Sequence, residues 1–238
     1  HTTLNGGKVV ASEGRSLVEP NPISLPAEIK DSFRLRPDIS AQQFKIPCAS
    51  TFAKIRVMEL VNQTITAERM IGVSASGGFI GADLSADLLK VAVFERHSKD
   101  TQIALGLVNG FGTKLGAVGT TTNLDENTLM VVGANDEDMA LCANALLECG
   151  GGMAVVHRGT VLDKISFPYG GIFSIRPRGE IADGLRRVQG CLQQGGSAFE
   201  KPMYVLSFLT FVTLPALRIT ARGLVNVKER KIVPLFAD

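Results

Sequence analysis

The strongest constraint on the fold comes from residues 88–95, which are nearly all apolar and rich in residues that favour strands. A strand with one side in water alternates polar and apolar residues, whereas a continuous apolar run indicates a strand covered on both faces. The sequence therefore predicts a layered domain with this strand inside it.

Other segments also have the spacing of strands. Polar and apolar residues alternate over residues 53–60, and Asn62 and Gln63 offer a turn into a partner strand over residues 64–69. A hairpin turn is predicted at Arg158-Gly159. Further strands are predicted at residues 102–108, 117–122, 129–132, 153–157, 160–167, 204–213, 218–220 and 232–236.

Two segments repeat apolar residues at helical spacing. Residues 136–148 are predicted to form a helix that is capped by Asn135 and closed by Gly150. The helix begins with acidic residues that suit its positive end. Residues 180–194 carry a second apolar stripe, formed by Ile181, Leu185, Val188 and Leu192. The combination predicts an α+β fold, with a mixed sheet and packed helices.

The N-terminal part differs from the rest of the chain. Residues 1–18 have the pattern of a short hairpin, which is marginal in isolation, so we expect its sheet partners to come from elsewhere. Five prolines in residues 19–50 indicate an extended linker with one helical turn near residues 27–33. Residues 51–238 are then the α+β domain, and the missing initiator Met favours a fragment of a longer protein.

Composition excludes several classes of function. With 25 Lys and Arg against 23 Asp and Glu, the formal charge of +2 gives no basic footprint for nucleic acid. The basic clusters Arg34/Arg36 and Lys228/Arg230/Lys231 are expected to be solvated surface. No apolar run approaches the roughly 18 residues that cross a membrane, and no signal peptide is evident. Four cysteines without a close pair predict a cytoplasmic protein with no zinc ribbon or redox motif.

Candidate site residues are few. Three histidines without the spacing of a metal-binding pair argue against a complete metal centre. His157 precedes a turn and is expected at the surface. Arg96 and His97 lie at the end of the apolar strand predicted at residues 88–95. Polar residues at such a position either line a site or form an ion pair at the sheet edge. Both alternatives stay open at this point.

The glycines of residues 106–119 lack the pattern of a phosphate-binding loop and indicate tight turns instead. Residues 123–128, with the sequence NLDENT, form a polar loop between two predicted strands. Its side chains could hydrogen-bond a ligand or make an exposed turn, and composition alone favours the turn.

Several longer strings are similar to the adenine deaminase family and follow the family's order. They are LNGGKVVA (4–11), VAVFERH (91–97), GLVNGFG (106–112), VVGANDEDMA (131–140), GGG (150–152), FPYGGIFS (167–174), LSFL (206–209), LPALRIT (214–220) and RGL (222–224). Together they span almost the whole chain, and the chain resembles the C-terminal region of this family.

The resemblance implies hydrolysis of adenine to hypoxanthine and ammonia in purine salvage. In the family, a divalent metal, manganese or iron, activates water in a catalytic barrel, and its ligands belong to that barrel. No metal is therefore expected on this chain, which would be inactive by itself. Residues 1–18 resemble the end of a small β-sandwich flanking such a barrel. The remainder would pack against the barrel, make contacts between copies in a homo-oligomer, or cover the active site.

The polar loop departs from the family pattern. Where the family usually has His-Asp-Ser-His-Asn, this chain has LDENT at residues 124–128 and keeps only Asp125. We therefore expect Asp125, Glu126 and Asn127 to bind substrate, together with Arg96 and His97. The loss of both histidines leaves an alternative, a non-catalytic stand-alone relative that acts as a small-molecule-binding or assembly module.

Overall fold

A computed structural model describes residues 1–19, 24–30, 35, 38–97 and 102–237. The strands are β1 (Thr2–Asn5), β2 (Lys8–Ser12), β3 (Arg15–Ser16), β4 (Ile46–Pro47), β5 (Phe52–Leu60), β6 (Thr66–Ser74), β7 (Phe79–Ile80), β8 (Leu88–Phe94), β9 (Ile103–Asn109), β10 (Ala117–Thr120), β11 (Leu129–Gly133), β12 (Gly152–His157), β13 (Thr160–Ser166), β14 (Leu217–Thr220), β15 (Gly223–Asn226) and β16 (Lys231–Val233). The helices are α1 (Ala27–Lys30), α2 (Asp136–Glu148), α3 (Arg178–Gln194) and α4 (Pro202–Ser207), with a 3₁₀ turn at Ala41–Phe44.

The centre of the fold is an eight-stranded sheet in the order β13-β12-β10-β11-β8-β9-β5-β6. Its neighbouring strands are antiparallel except for β5 and β9, which run parallel, so the sheet is mixed. Smaller sheets are formed by β1-β2-β3, by β14-β15-β16 and by β4-β7. The predicted α+β class is confirmed.

Strand β8 is covered on both faces, as its sequence predicts, and all seven of its residues are buried. Val91 and Val93 face a core that includes α3, α4 and β14. Ala92 and Phe94 face a second core formed with α2 and Phe44. Alternate side chains of this strand therefore belong to two clusters of the hydrophobic core on opposite faces of the sheet.

Helix α2 has the predicted bounds and the predicted cap. The Asn135 side chain accepts a hydrogen bond from the Asp138 N–H at 2.8 Å, which satisfies one of the free amides at the helix start. After the helix, Gly150 adopts a φ of 76°, and the Gly151 N–H donates to the Leu146 carbonyl. Cys142 is fully buried in the stripe that packs on the sheet.

Helix α3 begins at Arg178, two residues before the predicted start, and its stripe is only partly buried. Val188 and Leu192 are buried, but Leu185 is 36% exposed. The helix instead presents Gly184 to Ile165 of β13, where a Cβ atom would come within 2.8 Å of the isoleucine. Because α3 approaches β13 closely at Gly184, the buried face of the helix includes Gly184, Val188 and Leu192 and leaves Leu185 partly exposed.

The strand predicted at residues 204–213 is wrong, because helix α4 and a series of turns occupy this segment. Pro202 lies in the first turn of α4, where its missing N–H removes no helical hydrogen bond. Met203 and Leu206 are buried three residues apart, as on one face of a helix. The β-branched and aromatic residues of the segment favoured a strand locally, and packing against the core outweighed that preference.

The predicted hairpin is present as strands β1 and β2, to which β3 adds a short third strand. Leu4, Val9 and Leu17 of this region are exposed. Helix α1 lies in the predicted helical turn. Parts of the linker prediction, Pro20, Pro22, Phe33, Arg34, Arg36 and Pro37, lie outside the described residues. The cluster Lys228/Arg230/Lys231 is exposed, as predicted. In the described part of the chain, the helices are too short or too polar to cross a bilayer.

Candidate functional site

The predicted site residues come together at one edge of the large sheet because of strand register. Phe94, the last residue of β8, lies opposite Leu129, the first residue of β11. Residues that follow β8 are therefore neighbours of the loop that precedes β11. This places Arg96 and His97 beside the polar loop of residues 123–128. We call residues 95–97, 120–128, 169–173 and 221–222 the polar rim.

The polar loop is closed by its own first residue. The buried Asn123 side chain donates to the Thr128 carbonyl at 2.8 Å and accepts from the Thr128 N–H at 3.0 Å. Between these two residues, Asp125 and Asn127 have φ angles of 70° and 47°. Asp and Asn tolerate this left-handed region better than most residues, which explains their presence at these positions. The turn favoured by composition and the candidate site are thus the same structure.

The loop is also fixed to the C-terminal part of the domain. The Leu124 N–H donates to the Ser207 carbonyl at 2.9 Å, and the Thr210 hydroxyl donates to the Leu124 carbonyl at 2.8 Å. Glu126 accepts a hydrogen bond from the Ala221 N–H at 3.3 Å through Oε2. These contacts join residues more than 80 positions apart.

Glu126 is half-buried and lies among other charges. Burial raises the pKa of its carboxyl group, because a desolvated carboxylate is disfavoured. The Ala221 N–H and Arg222 act in the opposite direction, whereas Glu95 and Asp125 raise the pKa further. Asp125 itself is exposed, and Asn127 is half-buried.

Arg96 and His97 have different environments. Arg96 is 4% exposed, and its Nη1 donates to the Gly170 carbonyl at 2.7 Å. Burial lowers the pKa of the Arg96 guanidinium, and Glu95 opposes this effect. His97 is exposed, and its backbone N–H donates to Glu95 Oε1 at 2.7 Å. At this strand end, Arg96 therefore positions the neighbouring loop through Gly170, whereas His97 is exposed to solvent.

Thr121 is a rim residue that forms hydrogen bonds with two glycines from other segments of the chain. Its hydroxyl donates to the Gly171 carbonyl at 2.5 Å, and it accepts from the Gly152 N–H at 2.8 Å. The loop of residues 169–173 is thereby held at two points, through Arg96 to Gly170 and through Thr121 to Gly171. Thr121 is completely buried, so this connection is shielded from water.

Sequence reasoning missed three rim residues, Glu95, Thr121 and Arg222. Glu95 belongs to a quoted string, yet it carried no role, because its effect depends on Glu126 from another segment. Thr121 lies within the strand predicted at residues 117–122, and that pattern gives it no role in a site. Arg222 reaches the rim only because the β14–β15 turn lies against the polar loop. Local patterns contain no information on these long-range neighbours.

His157 lies at the opposite end of the sheet from the rim, where it ends β12 and is half-buried rather than fully at the surface. It lines a cavity of about 330 Å³ with Lys114 and Arg158. Nearby, the buried Asp138 carboxylate accepts from the Arg158 and Gly159 N–H groups at 2.9 and 2.7 Å. Asp138 therefore joins the start of α2 to the β12–β13 turn, which is a structural role.

The acidic and histidine side chains do not form a metal centre in the part of the chain that the structure describes. No group of three or more His, Cys, Asp or Glu residues could hold a metal ion there. Instead, the rim presents a carboxylate, an amide and an imidazole at Asp125, Asn127 and His97. These groups can accept and donate hydrogen bonds to the edge of a planar polar molecule.

Comparison with known proteins decides the family. The model of the adenine deaminase C-terminal domain matches residues 63–231, which is well over half of the chain. The chain belongs to this adenine deaminase C-terminal domain family. The matched span contains the entire polar rim, from Glu95 to Arg222.

Curated relatives extend the similarity to nearly the full chain. The adenine deaminase of Moorella thermoacetica is 38% identical over 233 residues, covering 97% of this chain and 39% of the relative. That of Clostridium botulinum strain Loch Maree is 35% identical over 235 residues, covering 98% and 39%. That of Brucella melitensis is 35% identical over 231 residues, covering 97% and 39%. The chain thus spans about two fifths of the length of the adenine deaminases it matches.

Proposed function

We propose that this chain is the C-terminal part of an adenine deaminase, whose polar rim faces the active site of a metal-dependent barrel outside the chain. The enzyme converts adenine and water into hypoxanthine and ammonia, a reaction of purine salvage. The observation that carries the proposal is the convergence of Arg96, His97 and the polar loop within the span that matches the family.

In this proposal, the rim binds and orients adenine. The reaction breaks the bond between the ring carbon and the amino nitrogen, forms a carbonyl at that carbon and releases ammonia. Asp125, Asn127 and His97 supply hydrogen-bonding groups to the purine edge, and Glu126 contributes from a half-buried position. Arg96 holds the neighbouring loop in place through Gly170. The metal, manganese or iron, belongs to the barrel, and no step is assigned to a metal held by this chain.

The proposal includes an organisation into three parts. Residues 1–18 are the end of a β-sandwich domain, residues 19–50 are a proline-rich linker, and residues 51–238 are the C-terminal α+β domain. Exposed Leu4, Val9 and Leu17 support the first assignment, because a lone three-stranded sheet gains stability by burying such residues. The four cysteines are free, which supports a cytoplasmic location. Packing against the barrel, or homo-oligomer contacts, would cover the apolar surface.

A chimera tests the proposed reaction. We expect the purified chain alone to release no ammonia from adenine and to bind no stoichiometric metal. A chimera that carries this chain in place of the matching 39% of the Moorella thermoacetica enzyme is expected to convert adenine to hypoxanthine. Ammonia release, hypoxanthine formation and elemental analysis are the measurements. Turnover by the chain alone would overturn the assignment of catalysis to a barrel outside it.

The rim is tested by Asp125→Ala in the active chimera. One hydrogen bond from a charged group to a ligand contributes about 1.5–3 kcal/mol, so we expect kcat/KM to fall by roughly 10-fold to 100-fold. Asp183→Ala is the matched control, because Asp183 lies on the exposed side of helix α3 and pairs with Arg186 there. Equal kinetics for the two variants would assign the polar loop a structural role only.

A non-catalytic binding or assembly module is the second candidate, favoured by the two histidines that the polar loop lacks at residues 124 and 127. It predicts a folded chimera without deaminase activity. Binding of adenine by the purified 238-residue chain, measured calorimetrically, would then favour a binding module. Self-association without adenine binding would favour an assembly module.

A further inference from the structure

Two Asn-Gly dipeptides occur in the chain, at Asn5-Gly6 and at Asn109-Gly110. In such a pair the backbone nitrogen of glycine can attack the side-chain amide carbon of asparagine, because glycine has no Cβ atom to crowd the approach. A ring C–N bond forms, the bond to the side-chain nitrogen breaks, and the glycine N–H proton leaves with that nitrogen as ammonia. Water then opens the succinimide ring to aspartate or isoaspartate. Reaction at either pair therefore depends on how freely its two groups can meet in the folded chain.

The first pair lies at the open end of the N-terminal hairpin. Asn5 is the last residue of β1 and pairs with Lys8, while Gly6 and Gly7 form the turn with φ angles of 54° and 77°. Asn5, Gly6 and Gly7 are exposed, and the space around Gly6 is open apart from its neighbours in the chain. Among the described residues, none forms a hydrogen bond with the Asn5 side chain or the Gly6 N–H. Fraying of this turn is therefore enough to bring the two reacting groups together.

The second pair has the same two residues, but both reacting groups are held. The Asn109 side-chain nitrogen, which would leave as ammonia, donates to the Ala86 carbonyl at 2.8 Å and to the Asp87 carbonyl at 3.0 Å. The Gly110 N–H, which would attack, donates to the Asp87 carbonyl at 3.4 Å. Asn109 and Gly110 are both half-buried at the end of β9. Reaction here requires these hydrogen bonds to break and the end of a core strand to open.

We propose that Asn5 is a deamidation site of the folded chain, and that the fold protects Asn109 although it is also followed by glycine. The product changes the hairpin. Aspartate at position 5 places a carboxylate opposite Lys8, a favourable cross-strand pair. Isoaspartate instead adds a methylene group to the backbone and disturbs the pairing of β1 with β2. The site is independent of the proposed reaction, because its ammonia comes from the chain itself and needs no adenine.

Peptide mapping of the 238-residue chain by mass spectrometry, after incubation in mildly alkaline buffer, measures conversion at both sites. The replacement of an amide by a carboxyl group raises the peptide mass, and enzymatic methylation detects isoaspartate. In the folded chain we expect Asn5 to react at least about tenfold faster than Asn109, because each hydrogen bond that must open lowers the reactive population severalfold. Ammonia release without adenine should approach one equivalent per chain as Asn5 is consumed.

Two controls separate the fold from the sequence motif. In guanidinium chloride the unfolded chain lacks the contacts of Asn109, so the two sites should react at similar rates. Asn5→Gln requires a larger and less favourable ring, and we expect it to lose the adenine-independent ammonia while Asn109 stays intact. Equal rates at the two sites in the folded chain would overturn the proposal. Two other results would do the same: a preference for Asn5 that persists unchanged in denaturant, or ammonia release that persists in Asn5→Gln.

Discussion

Replacement of Arg218 by methionine is expected to lower the free energy of unfolding by about 3–5 kcal/mol. Arg218 is fully buried, and its guanidinium donates to four backbone carbonyls. These are Leu214 at 2.9 Å, Phe208 at 2.8 Å, and Thr64 and Pro215 at 2.7 Å each. Methionine fills similar volume but leaves all four acceptors without this donor, and a buried unsatisfied group costs about 1–3 kcal/mol.

An opposing effect reduces this loss without reversing it. Burial lowers the pKa of Arg218 to about 10, so the charged guanidinium is penalised by desolvation, and methionine removes that penalty. The group nevertheless stays charged at neutral pH, and its four charge-assisted hydrogen bonds are stronger than neutral ones. Without Arg218, the buried carbonyls remain desolvated and lose the hydrogen bonds that offset this cost. The net effect is therefore a large destabilisation.

Chemical denaturation measures the effect of Arg218→Met, with Arg69→Met as the matched control. Arg69 is a half-exposed arginine of β6 that pairs with Glu59, and its loss is expected to cost less than about 1 kcal/mol. Arg218→Met should also reduce the exchange protection of the Leu124 amide. The reason is that Arg218 holds the Phe208 carbonyl next to Ser207, which accepts from Leu124. Equal stability of the two variants would contradict the proposed importance of this network.

The parts of the fold that sequence predicts best are those governed by local periodicity. Helix α2 has its predicted bounds because one stripe, one cap and one terminal glycine agree. Strand β8 is buried on both faces because its apolar run allows no solvent-facing side. The strand prediction for residues 204–213 is wrong, because the apolar residues of this segment suit a short helix as well as a strand. Only packing against the core distinguishes the two structures.

The sequence predicts which residues form the candidate site, but it does not predict their arrangement. The polar loop and the end of β8 are recognisable because polar residues follow apolar strands. Their proximity results from the pairing of β8 with β11, which the sequence does not specify. The contacts of Glu126 with Ala221 and of Thr121 with Gly171 join distant segments, so no local pattern contains them.

Gly152→Ala is expected to be the most damaging glycine substitution beside the rim, with a loss of more than about 3 kcal/mol in the free energy of unfolding. Gly152 has a φ of 138°, and a Cβ atom there would lie 1.9 Å from the Ile165 carbonyl oxygen. The clash is with backbone, which cannot rotate away as a side chain can. Relief requires β12 and β13 to separate where Gly152 pairs with Ser166.

Gly159→Ala is the matched control, because it separates backbone strain from the clash. Gly159 also has a positive φ, 72°, but open space surrounds the position of its Cβ atom. Its substitution should therefore cost only the strain of the left-handed region, roughly 1–2 kcal/mol.

Separation of β12 from β13 would also displace the Gly152 N–H from Thr121, so Gly152→Ala should loosen the loop held through Gly171. Denaturation curves of both variants measure the difference, and a loss no larger for Gly152→Ala than for Gly159→Ala would show that the two strands yield at this point at little cost.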